Sequence, residues 1–199
     1  MMEILYTCGD FAVCVKPVGM DSEKELPERL REQLGGECWP VHRLDLNVGG
    51  VMVLARNSAS ARELSRLIQE GRMGKEYVAL CHGEPPPEGI WEDLLWKDAR
   101  KNKVYVVDRP RGGVRKAALS YRVVARPAPD QTLVRVRLQT GRSHQIRVQF
   151  SHRGFPLWGD HKYGARDTLS APRLYSCRLS IPWNGEDRAF ESLPEWAES

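Results

Sequence analysis

The five cysteines, at positions 8, 14, 38, 81 and 177, form no CxxC pair, and none lies close enough to His144, His152 and His161 to complete a zinc ligand set. Cys14 sits inside the apolar run Phe11-Ala-Val-Cys-Val15, and the set reads as reduced thiols of a cytoplasmic protein. His144, His152 and His161 could be imagined around an ion, but there is no HxxxH or HExxH. Also missing are a GxGxxG after a strand-like run, a phosphate-cradling glycine loop with Lys and Ser or Thr, and a GxSxG. Metal, nucleotide-cofactor and serine-hydrolase chemistry are all left without support. No stretch nears the roughly 18 apolar residues that cross a bilayer, and the start Met1-Met2-Glu3-Ile4 carries no cationic segment with an apolar run behind it. Neither secretion by a standard signal nor membrane embedding is expected.

Charge, by contrast, is plentiful and unevenly placed. Residues 100–153 hold 14 Lys and Arg against two acids, Asp108 and Asp130, for a net +12, and the remaining 145 residues carry 16 basic and 24 acidic side chains, for a net −8. Such asymmetry can guide a polyanion to one face, although a solvated basic surface would look the same in the sequence. Chemistry near the basic segment has to decide between the two.

The length of 199 residues and a 41% hydrophobic content suit one sizeable core, so a single domain over residues 1–199 is expected. Ile4-Leu-Tyr and Phe11 to Val15 flank the turn Cys8-Gly-Asp10 as a hairpin. Leu26, Leu30 and Leu34, with Pro27 in the first turn and Gly35-Gly36 as the stop, predict a short amphipathic helix. Trp39 to Leu44 reads as extended, residues 45–50 as a loop and Val51 to Ala55 as a buried strand. Ser60 to Glu63 fits a capping box before a helix with Leu64, Leu67 and Ile68 on one face and Gly71 at its end. Tyr77–Cys81, Val104–Val107, Ala117–Val124 and Leu133–Leu138 are further strands, the last alternating Val134, Val136 and Leu138 with Arg135, Arg137 and Gln139. Ser143 is placed to cap a last helix that runs to about His152, with Gly154 as its stop. Strands and helices do not alternate regularly. The pattern predicts an α+β fold on a mixed, largely antiparallel sheet flanked by helices and loops, not a doubly wound one.

Taken singly, the chemically capable residues have ordinary explanations. Asp45 beside Gly49-Gly50 could simply make turn hydrogen bonds, Arg43 and Arg147 could be surface arginines, Tyr77 a packed strand residue, and His42 and His144 structural histidines. Their order along the chain is more specific. His42-Arg-Leu-Asp45, Lys75-Glu-Tyr77 and Thr140-Gly-Arg-Ser-His-Gln-Ile-Arg147, with Gly154-Phe-Pro, Gly159-Asp160 and Tyr163-Gly164, follow one another as in the RluA family of pseudouridine synthases. The stretch from Ile4 to Val15-Lys-Pro-Val-Gly19 resembles that family's N-terminal segment, and Arg173 to Leu179 its final strand. One departure stands out: Val48 and Gly49 occupy the place where the family usually has Thr or Ser before the glycine of the Asp loop.

The resemblance implies a pseudouridine synthase catalytic domain that isomerises a uridine within ribosomal or transfer RNA, without the N-terminal S4 module of many relatives and without cofactor or metal; a monomer is the default expectation. It implies that Asp45 is the essential carboxylate, acting on the base or on the sugar, and that Arg147 beside it favours the charged form. Tyr77 is implied to lie against the uracil ring. Arg43 is implied to fill the space of a flipped nucleotide, with His42, Arg142, His144 and Gln145 as further substrate-binding residues. Trp39, Ile146 and Phe150 are apolar candidates for the wall that keeps out water. Two other readings remain: a catalytically impaired RNA-binding or ribosome-assembly protein on the same scaffold, motivated by the altered Asp loop, and, more weakly, a metal-dependent RNA hydrolase.

Overall fold

The apolar runs of the first third pair with each other. β1 (Glu3–Thr7) and β2 (Phe11–Lys16) form the expected hairpin, and β2 runs antiparallel to β4 (Gly49–Ala55) with Phe11 opposite Ala55, Val13 opposite Val53 and Val15 opposite Val51. The computed structural model describes residues 1–197, which cluster into two compact units, residues 1–75 with 175–197 and residues 76–174.

In the first unit the strand order is β1, β2, β4, β10 (Leu174–Trp183), with β3 (Trp39–Pro40) paired to β4 and β11 (Glu186–Glu191) to β10. Most pairs are antiparallel, while β4 and β10 run parallel. Gly50, at φ 124°, allows that parallel approach: a Cβ there would sit 2.3 Å from the Ser176 carbonyl oxygen. Alternation sends Phe11, Val13, Val51, Val53, Leu179 and Ile181 to one core, closed by Leu64 and Leu67 of α2 (Ser58–Gln69). Each buried aliphatic side chain there contributes about 1.5–3 kcal/mol. The helix begins earlier than Ser60: Asn57 is its cap, accepting from the Ser60 backbone N–H at 2.8 Å, while the Ser60 hydroxyl returns to the Asn57 N–H. Glu63, the expected partner in the box, is bonded to Arg66. α1 (Glu25–Leu34) ends at Gly35 as its leucine spacing predicts. The extended segment after Trp39 is shorter than expected, with only Trp39 and Pro40 pairing to β4.

The second unit is built on the strand order β5 (Gly74–Cys81), β9 (Gln131–Leu138), β8 (Val114–Ala128), β6 (Glu88–Asp98), β7 (Lys103–Val107). One face buries Leu95, Val104 and Ala117 against Val148 of α3 (Gln145–His152) and Tyr163. Phe150 lies edge-on to Trp91 and Tyr121. β6 and β11 were not foreseen. The apolar residues of β6 come as a pair, Ile90-Trp91, and a triplet, Leu94-Leu95-Trp96, so they hide its period of two. Ser143 does not head the last helix; His144, in the left-handed region at φ 51°, takes the cap position without a side-chain capping bond. The fold is α+β on mixed, mostly antiparallel strands. No helix among the described residues is long and apolar enough to cross a membrane, and no disulfide joins the cysteines there.

One cluster ties three loops of this unit together. His82, stacked on Trp158 with ring centroids 4.3 Å apart, is bonded to Asp130 at 2.7 Å through Nδ1 and to Asp167 at 3.0 Å through Nε2. Two carboxylates on one ring require both N–H groups, so the clasp favours the imidazolium. Burial alone would lower the His82 pKa, but the two carboxylates outweigh it and the value is raised. Asp130 is lowered, chiefly by its bond from His82 and by one from the Gly83 N–H; Asp167 reaches about 2, its burial being outweighed by bonds from Gly159, His82 and Leu169. The raised histidine stabilises the fold fully below the ordinary imidazole value, and its contribution fades as pH climbs through the folded value. The lowered carboxylates contribute above their ordinary value, and theirs fades as pH falls. A His82→Gln variant is expected to melt below the parent at pH 5.5–6, with the gap closing by pH 9 in thermal scans. A gap that does not vary with pH would leave the clasp without a proton.

Candidate active site

In the first unit the Asp45 loop is held from below by a lysine. Lys16, at the end of β2, has no accessible surface, and its Nζ donates to the carbonyls of Pro17 (2.9 Å), Met20 (2.8 Å) and Leu46 (3.3 Å). The Gly19 N–H donates to Leu46 at 2.8 Å and the buried Ser22 hydroxyl to Leu44 at 3.0 Å. The residues on either side of Asp45 are therefore pinned to the segment 16–22 while the carboxylate itself is half-buried. Burial pushes the Lys16 ammonium down to about 8, against the opposing pull of Asp21, Asp45 and Glu25.

The Val48 departure has a structural answer. Val48 is 2% exposed, and its N–H donates to the Asp45 carbonyl at 3.0 Å, so an apolar side chain and a backbone bond close the turn. Gly49 fits closely, since a Cβ there would come within 3.1 Å of the Lys16 carbonyl oxygen. Arg43 is largely exposed and ion-paired to Glu23. His42 accepts a hydrogen bond at Nε2 from the Val53 N–H at 3.2 Å. Burial, with Lys75 nearby, holds its pKa well below the ordinary imidazole value, so the neutral ring carries its proton on Nδ1. Lys75 is likewise lowered by burial, to about 8.

In the second unit Tyr77 is buried on β5, and the motif around Arg147 is a connected set of bonds. Arg147 donates from Nε to Asp160 Oδ2 at 2.7 Å and from a terminal nitrogen to Oδ1 at 2.8 Å, a bidentate pair in which both side chains are nearly inaccessible. Its guanidinium carbon lies 5.1 Å over the Tyr163 ring. The Tyr163 hydroxyl accepts from the Val104 N–H at 2.9 Å and is bonded to His144 Nδ1 at 2.8 Å. Gln145 is buried and fully engaged: its Oε1 accepts from the Thr140 hydroxyl and the Arg142 N–H, and its Nε2 donates to the Ala118 carbonyl. Arg142 is exposed, with Nε on the Lys116 carbonyl at 3.0 Å.

Of the sequence-predicted site residues, Asp45, Arg43 and His42 belong to the first unit, and Tyr77, Arg142, His144, Gln145 and Arg147 to the second. Within the second, Arg147 and His144 meet at Tyr163. Lys16, Ser22 and Asp160 hold these residues and were not singled out from the sequence. A lysine that closes an otherwise apolar strand was the available signal for the first. Asp160, one acid inside a matched motif, was the signal for Arg147's partner.

Residues 10–152 match the profile of a family described as RNA pseudouridylate synthase. This chain belongs to that family. It is 40% identical over 187 residues to the dual-specificity RNA pseudouridine synthase RluA of Salmonella typhi, covering 86% of this chain and 81% of the relative. An uncharacterized RNA pseudouridine synthase of Chloroflexus aurantiacus is 37% identical over 164 residues, 79% of this chain and 51% of the relative. The ribosomal large subunit pseudouridine synthase C of Buchnera aphidicola is 36% identical over 128 residues, 63% of this chain and 40% of the relative. The chain thus spans about half of the first of these two and less than half of the second. Among solved structures, human RNA pseudouridylate synthase domain containing 1 superposes with a TM-score of 0.84 at 24% identity, over 98% of this chain and 84% of that one. Human RNA pseudouridylate synthase domain containing 4 gives 0.82 at 25% identity, over 98% and 90%.

Proposed function

We propose that this protein is an isomerase that converts specific uridines of ribosomal or transfer RNA to pseudouridine. The family match over residues 10–152, which takes in Asp45, Tyr77 and Arg147, carries the reading. In this reaction the ribose–N1 bond breaks, the base turns and C5 is joined to the ribose. No electron or group enters or leaves, so side chains alone can supply the chemistry. Asp45 acts on base or sugar as the essential carboxylate, Tyr77 lies against the uracil ring, and Arg147 supplies the cation that keeps Asp45 ionised. Arg43 and Arg142, both exposed, contact the RNA, and His42, His144 and Gln145 support the segments that carry them. The whole chain works as one catalytic domain, as a monomer, in the cytoplasm.

Flipping a uridine costs a few kcal/mol, and phosphate contacts from the basic segment offset it. The test is incubation of the purified protein with ribosomal and transfer RNA lacking pseudouridine, followed by chemical mapping. Pseudouridine at one or a few positions is expected. No product in either class, from protein that binds both, would defeat the proposal.

A further inference from the structure

The sheet of the second unit has two unlike faces. One is covered by α3 and carries the buried Ala117, Leu119, Tyr121, Val134 and Val136. The register places Ser120 opposite Arg137 and Ile90, and Arg122 opposite Arg135 and Glu88, on the other face. No side chain on that face is buried, from Glu88 to Trp96 on β6 or at the facing positions of β7, β8 and β9. Its rim is concave, with a cavity of about 620 Å³ lined by Arg122, Arg135, Arg137, Ser120, Ile90 and Glu76, among others.

The side chains there are set up to hold something anionic. Glu76 accepts from Arg135 Nε at 2.6 Å and fixes that guanidinium. Arg122 and Arg137 are exposed, and among the described residues neither forms an ion pair or side-chain hydrogen bond. Glu88 lies directly opposite Arg122 yet forms no salt bridge with it. Guanidinium forks suit phosphate oxygens, and Arg122 and Arg137, diagonal neighbours on β8 and β9, are spaced by about 7–8 Å. Ile90, 76% exposed beside them, offers an apolar surface to a base. About 20 Å further along β6, Trp96 lies opposite Tyr105 on the same face with Arg111 stacked 4.4 Å over its ring. Arginines interleaved with open apolar and aromatic surface on a bare sheet are how single-stranded RNA is commonly held.

We propose that this face binds a single-stranded stretch of RNA, its phosphates on Arg122 and Arg137. The inference rests on the reading above in taking that RNA to be part of the substrate. Glu76 is on this face and strand alternation turns Tyr77 to the other, so the bound stretch is a flank of the target and not the uridine itself. An RNA that uses both faces must pass round a sheet edge, which requires unpaired nucleotides.

The test is fluorescence anisotropy of a labelled twelve-nucleotide single-stranded RNA with the full chain, its Arg122→Gln, Arg137→Gln double variant, and an Arg29→Gln, Arg62→Gln variant with the same loss of net charge on α1 and α2. The first double variant is expected to bind about tenfold more weakly and to lose about 1.4 from the slope of log affinity against log salt, the value for two phosphates on a single strand. The second variant should stay near the parent. Equal losses in both variants would reduce the effect to net charge and overturn the proposal. Unchanged RNA affinity with lost affinity for polyglutamate would overturn it in favour of an acidic protein partner. Because the readout is binding without turnover, a protein that makes no pseudouridine can still pass or fail it.

Discussion

Pseudouridine formation by an Asp45→Asn variant is expected to fall on the order of 10⁴-fold or more, the scale of losing the reacting group of a catalytic set. The substitution keeps the size of the side chain and removes its charge. The loop around it should survive, because its anchors come from elsewhere: Lys16 Nζ on the Leu46 carbonyl, the Ser22 hydroxyl on the Leu44 carbonyl, and the Val48 N–H on the Asp45 carbonyl. A change in unfolding free energy within about 1–2 kcal/mol is expected. RNA affinity, set mainly by phosphate contacts, should change little. Activity within tenfold of the parent would remove Asp45 from the chemistry. Full restoration of every phenotype of a deletion strain by the variant would instead make catalysis dispensable and revive the RNA-binding reading.

The residues that repeat a strong local pattern were legible in the sequence. The leucine spacing and the Gly35 stop of α1 and the Val134/Arg135 alternation of β9 appear as read because one face of each is buried and the other wet, and the Phe11–Val15 strand because a short apolar run is buried on both faces. The cap of α2 was misplaced by three residues because Ser60 has the right chemistry for a cap and also serves from inside the first turn. β6 was hidden by adjacent apolar residues that sort to opposite faces only once β7 and β8 lie on both sides of it. The residues proposed to react lie in short motifs that the sequence displays. Their supports were not legible there, because they depend on partners distant in the chain: Lys16 acts on Leu46, thirty residues on, and Ser22 on Leu44, twenty-two on. Local sequence says nothing of such pairs.

The largest stability effect is expected at Asp160. Its carboxylate, 1% exposed, takes both bonds of the Arg147 fork, and its backbone also closes the turn, accepting from the Tyr163 and Ala165 N–H groups. An Asp160→Ala change leaves the turn possible but deprives a buried guanidinium of this carboxylate, which costs about 3–5 kcal/mol. With a urea dependence of about 1–3 kcal/mol per molar, the unfolding midpoint should drop by at least 1 M. The cause can be separated from lost packing. If the cost lies in the lost ion pair, the double variant Arg147→Met, Asp160→Leu should be more stable than Asp160→Ala alone, because no buried guanidinium is then deprived of that carboxylate. It should also be inactive, since it removes the cation proposed above to keep Asp45 ionised. A double variant no more stable than the single would mean that this pair does not govern the fold around α3. Recovery of stability without recovery of activity would separate the turn that Arg147 holds at Asp160 from the catalytic duty proposed for it.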